Sequence, residues 1–287
     1  MADWTLNFFY LALAGYVASA AFALWSIVAG KKEGPDLAAT LAGSALAFHT
    51  AFLIAWGAGH GRLPVYAPFE ALLTILWCAV LGYLLLHGPL RSRALSAFAM
   101  PPIALAAAAI TLFVRPTAQV IPSARSLWVP IHAVAALLGA ANFLLAFFVA
   151  VMYLVLRWLL KRKAVGTLME RMPSLDRLDR LNYGAVALGV PVFTLALISG
   201  VVLAVETGPG WWANWMVAAS LLAWLVFVIL LHVRLGAGLR GPRVAYLTIL
   251  GFLLVAAITC GIAFVGDSLH KMGPQPTPRP AARKWPP

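Results

Sequence analysis

Residues 184–235 read GAVALGVPVFTLALISGVVLAVETGPGWWANWMVAASLLAWLVFVILLHVRL, two apolar runs with one short aromatic loop between them. As helices, the runs 184–205 and 214–235 would each be about 33 Å long at about 1.5 Å per residue. That is enough to cross a hydrocarbon core about 30 Å thick. The loop places Trp211, Trp212 and Trp215 within five residues of one another. Indole rings flanked by apolar helices settle at the membrane–water interface, half in lipid and half wet. A pair of spanning helices joined by an aromatic shelf is therefore the unit from which the rest of the chain is read.

Outward from this pair, six further runs are long enough to span: roughly 6–29, 37–56, 68–87, 94–114, 128–160 and 243–266. The connections carry turn and polar residues, such as KKEGPD at 31–36 and GHGRLP at 59–64. Of the 287 residues, 63% are hydrophobic and 10% charged, a composition that belongs to polytopic membrane proteins. Met1, Ala2 and Asp3 supply no positive n-region, so the first run is predicted to remain as a spanning helix. The predicted fold is an all-α polytopic membrane protein, a bundle of about eight transmembrane helices. One transmembrane domain covers 1–270, and a proline-rich basic tail, 271–287, is predicted to be disordered.

The net charge of +12 has a source other than nucleic-acid binding. Basic residues collect in connections that stay in the cytoplasm. Lys31, Lys32, Arg91, Arg93, Arg157, Lys161, Arg162, Lys163, Arg171, Arg177, Arg180, Arg234, Arg240 and Arg243 all fall in odd-numbered connections. Only Arg62, Arg115 and Arg125 fall in even ones. Both termini and the tryptophan loop are thus predicted on the non-cytoplasmic side, and no nucleic-acid partner is expected. Cys78 and Cys260 lie inside apolar runs without a CxxC spacing, which argues against disulfide or thiol-relay chemistry.

Counting along the helices places the six histidines. His132 stands near the outer start of the fifth span, and His270 follows the eighth at a similar level, so the two flank the tryptophan shelf. His232 lies about 26 Å deeper, near the cytoplasmic end of the seventh span. His49 is placed in the middle or outer half of the second span, His60 in an outer loop and His87 at an inner helix end. His49 can be read as a hydrogen-bonded residue packing helices together, or as a secondary contact of a haem. Two neutral imidazoles across a flat aromatic shelf suit a bis-histidine haem, whose faces take apolar contacts. Arg62, Arg115 and Arg125 are the outward arginines available for its propionates. Glu70, at the outer start of the third span, fits a structural or a haem-side role. No H-E-x-x-H, G-x-S-x-G or phosphate loop is present. A secondary transporter, which would show buried carboxylates or broken helices at mid-membrane, fits less well despite Pro101, Pro102 and Pro191.

Four blocks add a family resemblance: WVPIHAVAALLG (128–139), LDRLNYGAVALGVPVFTLALISGVVLA (178–204), WLVFVILLHVRLGAGLRGPRVAYLTILGF (224–252) and FVGDSLH (264–270). With looser matches at FHT (48–50) and LPVYAPFEALL (63–73), the chain resembles the CcsA/ResC/HemX cytochrome c assembly family. The resemblance implies haem b as a transient or bound cofactor, with His132 and His270 as ligands of the haem iron beside Trp211, Trp212, Asn214 and Trp215. It implies an entry site at His232; because counting places His49 on the order of 14 Å away in depth, a second ligand there is expected from a partner membrane subunit. It implies presentation of haem to apocytochrome c from a bacterial-type inner membrane, as part of a cytochrome c haem lyase with no stand-alone catalytic motif. The tryptophan motif departs from the family pattern. Asn214 stands at the aspartate position, Ala213 at a tryptophan position, and Trp215, Met216 and Val217 at the positions of a P-K-E run. The rival implication is a HemX-like regulator of haem biosynthesis acting on glutamyl-tRNA reductase, a cytoplasmic enzyme. Its contact surface would be the basic 157–180 connection with its LDRLDRL repeat.

Overall fold

The computed structural model describes residues 4–29, 36–90, 92–114, 127–163, 169, 172–206 and 215–269. Among them the chain forms eight long helices and no strand. They are α1 (Trp4–Val28), α2 (Leu37–His60), α3 (Pro68–Leu90), α4 (Arg93–Phe113), α5 (Trp128–Lys161), α6 (Leu175–Glu206), α7 (Trp215–Ala237) and α8 (Pro242–Leu269). All eight are long and apolar enough to cross a membrane. Large apolar side chains such as Leu85, Leu105, Leu112, Leu188, Ile198 and Leu253 stay exposed on them, which suits a lipid solvent and not water. The chain is a multi-pass, all-α membrane protein.

Two clusters of buried side chains organise the bundle, and α5 is the helix they share. The first gathers α1 to α4 around Tyr16, Leu73, Tyr83 and Met100, with Phe148, Met152 and Leu156 from the second half of α5. The second joins the first half of α5 to α6, α7 and α8 through Phe143, Phe193, Phe227 and Val255. Phe143 and Phe227 stack face to face at 3.7 Å. The most extensive helix contact is α5 on α6, and small residues allow it: Gly139 lies against Phe193 and Gly189 against Phe143.

The ends of the helices are set by local chemistry. Asp36 caps α2 by accepting from the Ala38 N–H at 3.1 Å. Gly61 closes the same helix at φ 63°, where a side chain would be strained, and the Arg62 N–H returns to the Gly57 carbonyl at 3.1 Å. Pro101 and Pro102 sit inside α4, and Pro191 inside α6, without ending either helix.

One boundary differs from the sequence expectation. α6 begins at Leu175, nine residues before the run expected from 184, and takes the LDRLDRL repeat into its first turns. Leu178 and Asp179 are buried there, while Asp176, Arg177 and Arg180 face out, with Arg180 paired to Asp176. The burial is tolerable because Arg234 of α7 meets Asp179. Its Nη2 donates to Oδ2 at 2.6 Å and its Nη1 to Oδ1 at 3.1 Å, and the guanidinium also lies over the Tyr183 ring. A turn further along, Asn182 donates to the Ala146 carbonyl and accepts from Thr248, so α5, α6 and α8 are tied at one level.

Candidate functional site

At the opposite end from this tie, five helices leave a cavity of about 300 Å³. Its walls come from the first turns of α3 and α5, the last turns of α6, Ser220 of α7, and Val255, Ile258 and Thr259 of α8. Tyr66, two residues before α3, closes one side. The lining is mostly Val, Leu, Ile, Ala and Phe, the surface that a flat apolar ligand requires. α6 ends and α7 begins at this same end of the bundle.

His132 is the imidazole on this wall. It lies in the second turn of α5, half-buried, and its Nδ1 is 2.8 Å from the Ala196 carbonyl oxygen of α6. A carbonyl can only accept, so Nδ1 carries the proton and, in the neutral ring, Nε2 is the bare nitrogen. Among the described residues Nε2 has no hydrogen-bond partner. Gly200, one turn beyond Ala196, makes the fit: a Cβ there would stand 2.8 Å from Cε1 and 3.0 Å from Nδ1 of His132. Among the described residues no three His, Cys, Asp or Glu side chains gather as a metal cage would need. His132 therefore brings one imidazole with an unprotonated Nε2 to an apolar wall, a donor that could serve the iron of a haem-type ligand.

The α3 wall is held by Glu70, which is buried and takes both arms of Arg62, Nη1 to Oε2 at 2.6 Å and Nη2 to Oε1 at 2.7 Å. Trp56 Nε1 donates to Oε1 at 2.9 Å, and the Tyr66 and Ala67 N–H groups reach Oε2 at 3.1 and 3.3 Å. The carboxylate thereby fixes the turn 62–67 that presents Tyr66 to the cavity. The Arg62 guanidinium also lies 5.5 Å over the Tyr66 ring.

Trp215 is exposed at the start of α7, on the cavity end. Trp211, Trp212, Asn214, Arg115, Arg125 and His270 lie outside the described residues, as does the tail 271–287. His232 is on the exposed side of α7, two residues from Arg234, and far along the helix from the cavity. His49 is fully buried in the first cluster, with Tyr16 Oη 3.0 Å from Nδ1 and the rings of Phe9 and Phe52 around it. It does not line the cavity. His60 packs over Trp56 and shares a hydrogen bond with that residue's carbonyl, while His87 lies 3.6 Å from Asp36 at the opposite end of the bundle. Sequence reasoning missed Ala196 and Gly200. The available signal was a pair of small residues four apart in ALISG (196–200), which share one face of the helix.

A family model described as Cytochrome C assembly protein matches residues 65–270, from the α3 wall of the cavity to the residue after α8. The chain belongs to that family. Its family stretch contains every cavity wall and His132, whereas α1 and α2 lie outside it. Within the cytochrome c assembly family the chain is similar to proteins named cytochrome c biogenesis protein CcsA. That of Chlamydomonas reinhardtii is 28% identical over 74% of this chain and 62% of its own length. That of Pyropia yezoensis is 26% identical over 75% of this chain and 80% of the relative. That of Chlorella vulgaris is 28% identical over 80% and 84%. The chain thus spans less than two thirds of the Chlamydomonas relative's length.

Proposed function

We propose that this cytochrome c assembly protein handles haem in cytochrome c biogenesis, as a CcsA-like membrane subunit that takes haem b at the His132 cavity and presents it to apocytochrome c. The observation that carries the reading is the His132 imidazole, held by its Nδ1–H with Nε2 left bare on an apolar wall. Haem is cargo here, and what it brings is a pair of vinyl groups across which two cysteine thiols of the apocytochrome add. The protein's own part is to bind, orient and keep water away from the ligand's faces.

In this reading His270 would supply the second nitrogen that holds the haem. Trp211, Trp212, Asn214 and Trp215 would supply the aromatic shelf of the family reading. Arg115 and Arg125 answer the propionates, and Arg62 joins them with the N–H groups that Glu70 does not take. His232 serves an entry site whose second ligand comes from a neighbouring membrane subunit, and its exposure on α7 supports that. The cavity end, with both termini, faces away from the cytoplasm of a bacterial-type inner membrane, as the distribution of Lys and Arg favours.

The regulatory alternative would act through the exposed side of the first α6 turns, where Asp176, Arg177 and Arg180 face out. The CcsA name of the relatives favours assembly instead. A transporter is disfavoured because the buried carboxylates among the described residues, Glu70 and Asp179, are each closed by an arginine.

The test is spectroscopic. Purified protein loaded with haem should show a Soret band and split α/β bands on reduction. His132→Ala and His270→Ala should each weaken that low-spin signature, and the double variant should abolish it. A double variant with an unchanged spectrum would place the ligands elsewhere and defeat the reading.

A further inference from the structure

We propose that Gly200 and the Ala196 carbonyl of α6 form a seat for the His132 imidazole, so that Gly200 is a positioning residue that fixes Nε2 as the ligating nitrogen and tunes its donor strength. The proposal rests on haem being the ligand of the cavity. It goes further by assigning the orientation of the ring to a different helix from the one that carries it.

The geometry has two parts. The Ala196 carbonyl accepts the Nδ1–H at 2.8 Å, which selects one tautomer and one ring orientation. This oxygen is also 3.0 Å from the Ser199 hydroxyl, so its place is set by α6 itself and not by His132. Gly200 supplies the second part. A methyl group on it would come within 2.8 Å of Cε1 and 3.0 Å of Nδ1, closer than atoms of a rigid ring tolerate. The imidazole could then stay in the cavity wall only by swinging off the Ala196 carbonyl. A metal-bound histidine whose other N–H is held by a carbonyl is a stronger donor, and loss of that outer bond costs 10- to 100-fold in affinity for metals generally, on the order of magnitude.

Helix propensity runs the other way. Alanine is favoured over glycine inside a helix by about 1 kcal/mol, so a purely structural glycine could be replaced with little harm or some gain. The seat predicts a helix that survives and a ligand that does not.

The experiment uses the full chain in detergent with haem, read by absorption spectra, haem titration and the midpoint potential. Gly200→Ala should retain wild-type helicity and thermal unfolding, yet bind haem about tenfold or more weakly, with a raised midpoint potential because a weaker donor stabilises ferric iron less. His132→Gly opens the seat to free imidazoles. Imidazole and 4-methylimidazole, which keep an N–H, should restore the low-spin spectrum. 1-Methylimidazole, of the same size as the second but without an N–H, should restore it poorly. Adding Gly200→Ala to His132→Gly should abolish the restoration. If 1-methylimidazole serves as well as 4-methylimidazole, or if folded Gly200→Ala binds haem with wild-type affinity and potential, the seat is overturned while the haem site stands. If His132→Gly leaves the spectrum unchanged, the haem reading fails, and the seat with it.

Discussion

Replacing Glu70 with glutamine changes one buried oxygen to an NH2 and little else, which makes it the sharpest probe of the cavity's α3 wall. Oε1 accepts from Trp56 Nε1 and Arg62 Nη2, and Oε2 from Arg62 Nη1 and the Tyr66 and Ala67 amides. An amide cannot satisfy both sets. Its cheaper orientation puts the NH2 at the Oε1 position, facing two donors, and the carboxylate charge opposite Arg62 is gone in either orientation. Each buried donor left without a partner costs about 1–3 kcal/mol. Arg62 is 15% exposed and recovers part of this from water, so the sum settles near 3 kcal/mol, at the lower end. The assay is reversible unfolding in mixed micelles, with Glu206→Gln, exposed at the end of α6, as a control expected to do nothing measurable. The turn holding Tyr66 should also loosen, so haem affinity should fall although His132 is untouched. A Glu70→Gln protein within about 0.5 kcal/mol of wild type, the range of a surface change, would refute the account of that wall.

Other outcomes follow from the same geometry. Asp179→Ala leaves Arg234 charged and buried at 8% side-chain exposure, and should cost about 3–5 kcal/mol. The double change Asp179→Leu with Arg234→Met should recover most of it, and a double-mutant cycle in micelles measures the difference. Gly189→Ala would set a Cβ 2.6 Å from Cε1 of Phe143, a ring already stacked on Phe227. The overpacking, about 1–3 kcal/mol, should outweigh the gain in helix propensity and lower the thermal midpoint. A raised midpoint would contradict the tight α5–α6 contact. Single cysteines placed at Lys163 and at Leu63 should react with an impermeant thiol reagent from opposite sides of the membrane, Leu63 from the outside.

How far the sequence could be read depended on the range of the interactions concerned. The eight spans were legible because hydropathy is a property of each run by itself, and 37–60 or 128–161 need no partner to be recognised. The start of α6 was not, because DRLDR looks like a solvated connector until Asp179 is paired with Arg234, 55 residues away. Arg62 read as an outward cation for the same reason, although Glu70, eight residues on, takes two of its N–H groups. His132 could be placed by counting at the cavity end of α5, but the direction of its ring depends on α6. The small residues Ala196 and Gly200 that receive it carry no chemical signal of their own. His49 illustrates the opposite case, since a histidine between apolar turns already suggested a packed, hydrogen-bonded residue, and Tyr16 supplies that bond.

The proposed function requires that the apolar cavity between α3, α5, α6, α7 and α8 receives haem with His132 Nε2 on the iron. A density map of the protein purified with haem bound tests it most directly. The account predicts porphyrin density between Tyr66, Phe193 and Ile258, with the iron at bonding distance from Nε2 and Nδ1 still on the Ala196 carbonyl. Haem density elsewhere in the bundle, with the cavity collapsed or filled by lipid and His132 free of the iron, would contradict it.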